Sequence, residues 1–150
     1  MTRRWARIAI AITLGAALAA TLPALPAVSQ QSPPPPVIEI EDTATLAARG
    51  AAVLVDVTVT CPADSDFADL SVEVSQRRGG RTASGFGSVE VTCTGEPQTI
   101  TVPVLAFNAP FRQGVAFAVA RLFVCGPFFC GSVSDAEEIT IVRATTAAAA

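Results

Sequence analysis

Val53-Leu54-Val55-Asp56-Val57-Thr58-Val59-Thr60-Cys61 is the stretch whose reading decides the fold. Val53, Val55, Val57, Val59 and Cys61 recur at period two, and from Asp56 onward the positions between them are polar. A strand sends alternate side chains to opposite faces, and β-branched residues suit its pleated surface. The stretch is therefore a half-buried strand with its valines, and its terminal cysteine, in a core.

Segments of the same kind flank it. Val37 to Glu41 reads as a short edge strand, Thr43 to Ala48 continues toward the core, and Arg49-Gly50 turns into the central strand. Downstream, Leu70, Val72 and Val74 alternate with Ser71, Glu73 and Ser75. Gln76-Arg77-Arg78-Gly79-Gly80-Arg81 is a polar hairpin turn. A weak glycine-rich strand, Thr82 to Gly87, runs into Ser88 to Cys93, where Val89, Val91 and Cys93 share a face. Ile100, Val102 and Val104 mark a further strand, and Pro103 makes it an edge or bulged one. A loop runs from Asn108 to Gly114, Val115 to Cys125 is the longest strand, and Ile139 and Ile141 mark the last. Seven or eight short strands without an amphipathic helix define an all-β chain. The expected architecture is an immunoglobulin-like antiparallel β-sandwich, with a small β-barrel as the alternative.

The N-terminus has a different character. Met1 to Arg7 is basic, Ile8 to about Leu22 is apolar, and Ala27-Val28-Ser29 supplies small residues before a cleavage point after Ser29. This is the pattern of a secretory signal peptide, and the apolar run is shorter than the roughly 20 residues a spanning helix needs. The expected organisation is a signal peptide over 1–29, a proline-rich leader over 30–36, a β-domain over 37–143 and a flexible small-residue tail over 144–150. The leader, with Pro33 to Pro36, reads as a semi-rigid spacer. The expected destination is outside the cell, with no membrane anchor left after cleavage.

Beyond Ser29 the chain keeps all 13 acidic residues and seven of its ten arginines, a net charge of about −6. That balance disfavours nucleic acid as a partner. Cys61, Cys93, Cys125 and Cys130 all lie in this part, and an even count in an exported chain implies disulfides. Cys61 and Cys93 each end a strand in phase with inward valines, which pairs them and leaves Cys125 with Cys130. The spacing fits no zinc pattern and the chain has no histidine.

The strand before the short staple has two apolar faces. Ala116, Ala118, Ala120, Leu122 and Val124 form one; Val115, Phe117, Val119, Arg121, Phe123 and Cys125 form the other. An unpaired guanidinium is costly to bury, so the arginine face should be outward. Phe117, Val119 and Phe123 would then be an exposed stripe leading to Phe128 and Phe129, a candidate binding patch. The alternative is that the stripe is core and Arg121 is paired or reaches out to solvent.

The residues exclude much catalysis. Without histidine or lysine there is no Ser-His-Asp, Cys-His, Ser-Lys or Schiff-base chemistry. Glu137 and Glu138 adjoin and point to opposite faces, so they are not a catalytic pair. No catalytic residue, cofactor site or metal site is assigned. Asp64, Asp66 and Asp69 read as a solvated acidic loop rather than a calcium site, and Arg77, Arg78 and Arg81 as a solubilising basic tip rather than a dock for an acidic partner.

From Ala44 to Val142 the chain resembles a group of uncharacterised small secreted proteins of actinomycete type. The resemblance rests on Arg49-Gly50-Ala51-Ala52, on Val59-Thr60-Cys61-Pro62, on Gln76 to Gly80, on Val91 to Pro97 and on Pro110-Phe111-Arg112. Arginine without lysine and abundant alanine fit a high-G+C bacterial genome. A weaker similarity is to neocarzinostatin-type chromoprotein apoproteins, which are secreted acidic sandwiches. It rests on the Cys-x4-Cys turn at Cys125 to Cys130 and on Ser134-Asp135-Ala136. The other pair in that family closes a short loop, whereas Cys61 and Cys93 are far apart, so nothing beyond the staple is carried over. The expected function is a non-enzymatic secreted binding module for a hydrophobic small molecule or a protein, or alternatively a structural extracellular or cell-envelope domain.

Overall fold

The computed structural model describes residues 35–128 and 130–144. The signal peptide expected over 1–29, residues 30–34 of the expected leader, Phe129 and residues 145–150 lie outside the described residues. Seven strands follow in order: β1 (Val37–Ala47), β2 (Ala52–Thr60), β3 (Phe67–Arg78), β4 (Arg81–Glu90), β5 (Gln98–Ala106), β6 (Gly114–Cys125) and β7 (Cys130–Arg143). One short 3-10 turn, Ala48–Gly50, joins β1 to β2.

The strands form one sheet that closes in the order β1-β2-β5-β4-β3-β6-β7. Of the two all-β architectures, the barrel is the one found, and its sheet is mixed. β1 is the reason. The stretch beginning at Val37 is no edge strand: it pairs antiparallel with β2 from Val37 to Ala47 and parallel with β7 from Thr43 to Leu46. A register break between Ile40 and Ala44 lets one strand serve both neighbours. Before the parallel ladder begins, the Ile40 N–H donates to Asp135 Oδ2 on β7 at 3.0 Å. β7 itself starts at Cys130 and, at 14 residues, is longer than β6 with 12.

Closure is uneven. β4 and β5 pair only at Gly85↔Ala106 and Phe86↔Leu105. The rest of β5 pairs with β2 alone, Pro103 opposite Leu54 included. The edge character expected from Pro103 is thus present on its β4 side, where a missing N–H breaks no ladder bond. Gly87 faces the Pro103 carbonyl so closely that a Cβ there would collide with it.

The alternation read from the sequence fills the interior. Val53, Val55, Val57 and Val59 of β2, Leu70, Val72 and Val74 of β3 and Val102 and Val104 of β5 have no exposed surface. Burial of such side chains contributes roughly 1.5–3 kcal/mol each before chain entropy is set against it.

One end is plugged from a loop. Phe111, between β5 and β6, is 1% exposed. Its N–H donates to the Gly50 carbonyl at 2.8 Å, and its ring lies over Gly85, where a Cβ would come within 2.9 Å of it. The loop is held by Gln76, a buried polar residue on β3. Gln76 Oε1 accepts from the Arg112 N–H at 2.9 Å and Nε2 donates to the Arg112 carbonyl at 2.8 Å. The side-chain amide thus copies a ladder rung. Replacing it by leucine (Gln76→Leu) is expected to cost about 1–3 kcal/mol, because the Arg112 backbone groups lose their partners. A lower urea midpoint at unchanged m would register this, and an unchanged midpoint would show that water replaces the amide.

Both expected disulfides are present, Cys61–Cys93 and Cys125–Cys130, and none of the four cysteines is free. Such bridges persist in extracellular and periplasmic compartments.

Candidate functional site

β6 decides between the two readings of its faces. Ala116, Ala118, Ala120, Leu122 and Val124 point inward and are 4% exposed or less. Phe117 and Phe123 point outward at 48% and 41%, Val115 is exposed as well, and Val119 is half-buried. Arg121 is exposed, between Ser71 of β3 and Ser134 of β7. The guanidinium sets the face, because hydrating it costs nothing on the outside, and the small alanines leave room inside for the valines of neighbouring strands.

The structure therefore brings Phe117, Val119 and Phe123 into one outward row. Phe128 of the stapled turn is almost wholly exposed, while Phe129 lies outside the described residues. One member was missed by the sequence reading. Phe67, at the start of β3, faces outward beside Phe123, with ring centroids 6.4 Å apart and planes tilted by 60°. The signal was available, since Phe67 is out of phase with the inward Leu70, Val72 and Val74. Phe67 also stands opposite Cys125 in the β3–β6 register, so the aromatic pair abuts the short staple.

Carboxylates border the row on both sides. Asp69 is opposite Phe123 and Glu73 opposite Val119 on β3, while Glu138 is opposite Phe117 on β7. Glu138 and Phe117 line a shallow groove of about 330 Å³ with Ser75, Arg77 and Thr82. A second exposed apolar group lies at the short β4–β5 seam, where Phe86 pairs with Leu105 and Phe107 follows.

The acidic residues do not converge. Asp64 is in the β2–β3 loop, Asp66 donates its N–H to the Cys125 carbonyl, and Asp69 is within β3. Among the described residues, no group of three or more His, Cys, Asp or Glu is placed to hold a metal ion. The same residues contain no helix long and apolar enough to cross a membrane.

No protein-family model matches the chain, and no curated protein matches it. Among solved structures, it is similar to CsgH of R. palustris, with a TM-score of 0.38 and 17% identity over 66% of this chain and 89% of that one. It is also similar to Spo0M, a sporulation control protein from Bacillus subtilis, with a TM-score of 0.36 and 16% identity over 71% of this chain. There the match spans 48% of the Spo0M chain. Neither likeness carries a statement about function.

Proposed function

We propose that this chain is an exported, non-catalytic interaction module that binds through the outer face of β6. The observation that carries the reading is the outward row of Phe117, Val119 and Phe123, extended by Phe67 and Phe128. Exposed apolar surface favours association, because covering it removes that surface from water. Arg121, exposed between Val119 and Phe123, divides the row into Phe117 with Val119 and the Phe67–Phe123 pair. The bordering Asp69, Glu73 and Glu138 favour a protein surface that combines apolar side chains with basic groups. A hydrophobic small molecule would leave those carboxylates unused. Export is supported by the signal-like N-terminus and the two disulfides.

A second reading is a structural extracellular or cell-envelope domain, favoured by the proline-rich leader, which would hold the barrel away from an attachment point. Cell fractionation separates the two, since freely soluble monomer in the medium counts against the envelope role.

The double variant Phe117→Ser/Phe123→Ser tests the first reading. Both side chains are exposed, so thermal stability should fall by no more than about 1 kcal/mol. Fluorescence of the neutral dye Nile red on the folded protein should drop several-fold. Collapse of stability, or dye binding equal to that of the parent, would remove the patch from consideration.

A further inference from the structure

Consecutive strands of this barrel run in opposite directions, so every second connection lies at the same end. The β1–β2 turn carries Arg49, the β3–β4 hairpin Arg77, Arg78 and Arg81, the β5–β6 loop Arg112, and the end of β7 Arg143. These are six of the seven arginines among the described residues; Arg121, on the barrel wall, is the other. The segments that build this end, 45–52, 74–84, 103–116 and 140–144, contain no Asp or Glu, although Glu138 of β7 comes up to Arg77 and shares a groove with it. The opposite end carries Asp64, Asp66, Glu90 and Glu96. An acidic chain thus has one strongly basic end.

The guanidiniums there are gathered around two open grooves. Arg77, Arg78 and Arg112 line one of about 610 Å³, with Gln113 and Gly79. Arg49, Arg112 and Arg143 line another of about 530 Å³, beside Phe111 and Gln113. Arg112 and Gln113 belong to both, so five arginines line two adjoining grooves at the barrel mouth. A guanidinium offers several N–H donors in a planar fork suited to oxyanions. Arg78 uses one of its donors on the Pro110 carbonyl, which fixes the hairpin against the loop. With the mouth plugged by Phe111, a single oxyanion would remain hydrated in an open groove and gain little. A chain of oxyanions engages several arginines at once and releases its own counterions.

From this we infer that the arginine end is a binding site for a linear polyanion, a polymer of repeated phosphate or carboxylate groups. The site adjoins the β6 face at Arg77, which shares a groove with Phe117 and Glu138, but it does not depend on that face binding a partner.

Calorimetric titration of the purified protein at low ionic strength, with long-chain inorganic polyphosphate, poly-L-glutamate and orthophosphate, tests the site. Binding of at least one polymer, much tighter than orthophosphate and weakening steeply with added salt, is expected; the two polymers distinguish phosphate from carboxylate. Arg77→Gln/Arg112→Gln should lower polymer affinity about tenfold or more. Arg77→Gln alone should lower it by about threefold or more, whereas Arg121→Gln, which removes the same single charge from the barrel wall, should lower it less than about twofold. Arg112 holds the loop through its backbone, so the double variant should keep the parent circular dichroism; the two single variants give the comparison even where it does not. Three results would overturn the assignment. One is failure of both polymers to bind. Another is a loss in Arg121→Gln equal to that in Arg77→Gln, which would reduce the effect to net charge. The third is salt-reversible self-association abolished by Arg112→Gln, which would give this end to the acidic end of a second copy.

Discussion

Truncating Phe111 to alanine is expected to destabilise the barrel by about 3–5 kcal/mol, a large share of the roughly 5–15 kcal/mol that holds a domain of this kind folded. The ring is 1% exposed and closes one end of the core. Two backbones approach it where a side chain would obstruct them. Gly50, at φ +94°, brings its carbonyl to the Phe111 N–H, and Gly85 lies beneath the ring. Neither can move inward to refill the space, because each is tied into the β1–β2 turn or the β4–β5 seam. A cavity that cannot collapse lies at the costly end of the range. Phe107→Ala is the control: that ring, at the other side of the same loop, is 70% exposed and its loss should stay within about 0.5 kcal/mol. Urea midpoints for the two variants provide the comparison. Similar small losses for both would mean that the loop does not plug the barrel.

Nothing in the sequence around Phe111 announces this role. Asn108 to Gly114 has turn residues and no periodicity, so a buried aromatic there is visible only when the ends of the strands are brought together. The strands themselves were legible because each alternates on its own: Val53 to Cys61, Leu70 to Val74, and β6 once Arg121 fixes its outer face. The disulfides followed, since Cys61 and Cys93 share the inward phase. Closure was not legible. Whether β1 lies at an edge or bridges β2 and β7 depends on partners about a hundred residues apart, as in Thr43↔Thr140, and local alternation is the same in either case. The arginine end lies between these extremes. Arg49, Arg112 and Arg143 look unrelated along the chain, and the turn at Arg77 to Arg81 reads as an ordinary solvated tip. They become one surface only because the strands run up and down, so alternate connections meet. Of the aromatic row, Phe67 could have been found by phase, whereas its proximity to Phe123 required the β3–β6 register.

Replacing Cys61 and Cys93 together by alanine is expected to cost about 3–4 kcal/mol, against about 2 kcal/mol for Cys125 and Cys130. The first difference is loop length, 32 residues of separation against 5. A longer closed loop removes more conformational freedom from the unfolded chain. The second is position. Cys61 follows β2 and Cys93 follows β4, on either side of β5 in the closed sheet. The only β4–β5 ladder pairs are near the other end, at Gly85 and Phe86. The bridge therefore holds the wall together where backbone pairing does not, helped by the Gly95 N–H on the Cys61 carbonyl at 3.1 Å. Its loss should open the barrel locally before it unfolds globally. Amide exchange is then expected to rise most over β5 from Gln98 to Val102 and at Val91, with β3, β6 and β7 changing least. Cys125 ends β6 and Cys130 begins β7, and these strands are paired without a break from Gly114↔Ile141 to Cys125↔Cys130, so removal of the bridge should accelerate exchange only at the turn. A uniform loss of protection in the Cys61/Cys93 variant would mean that the bridge acts through the unfolded chain alone and that the short β4–β5 seam closes the barrel unaided.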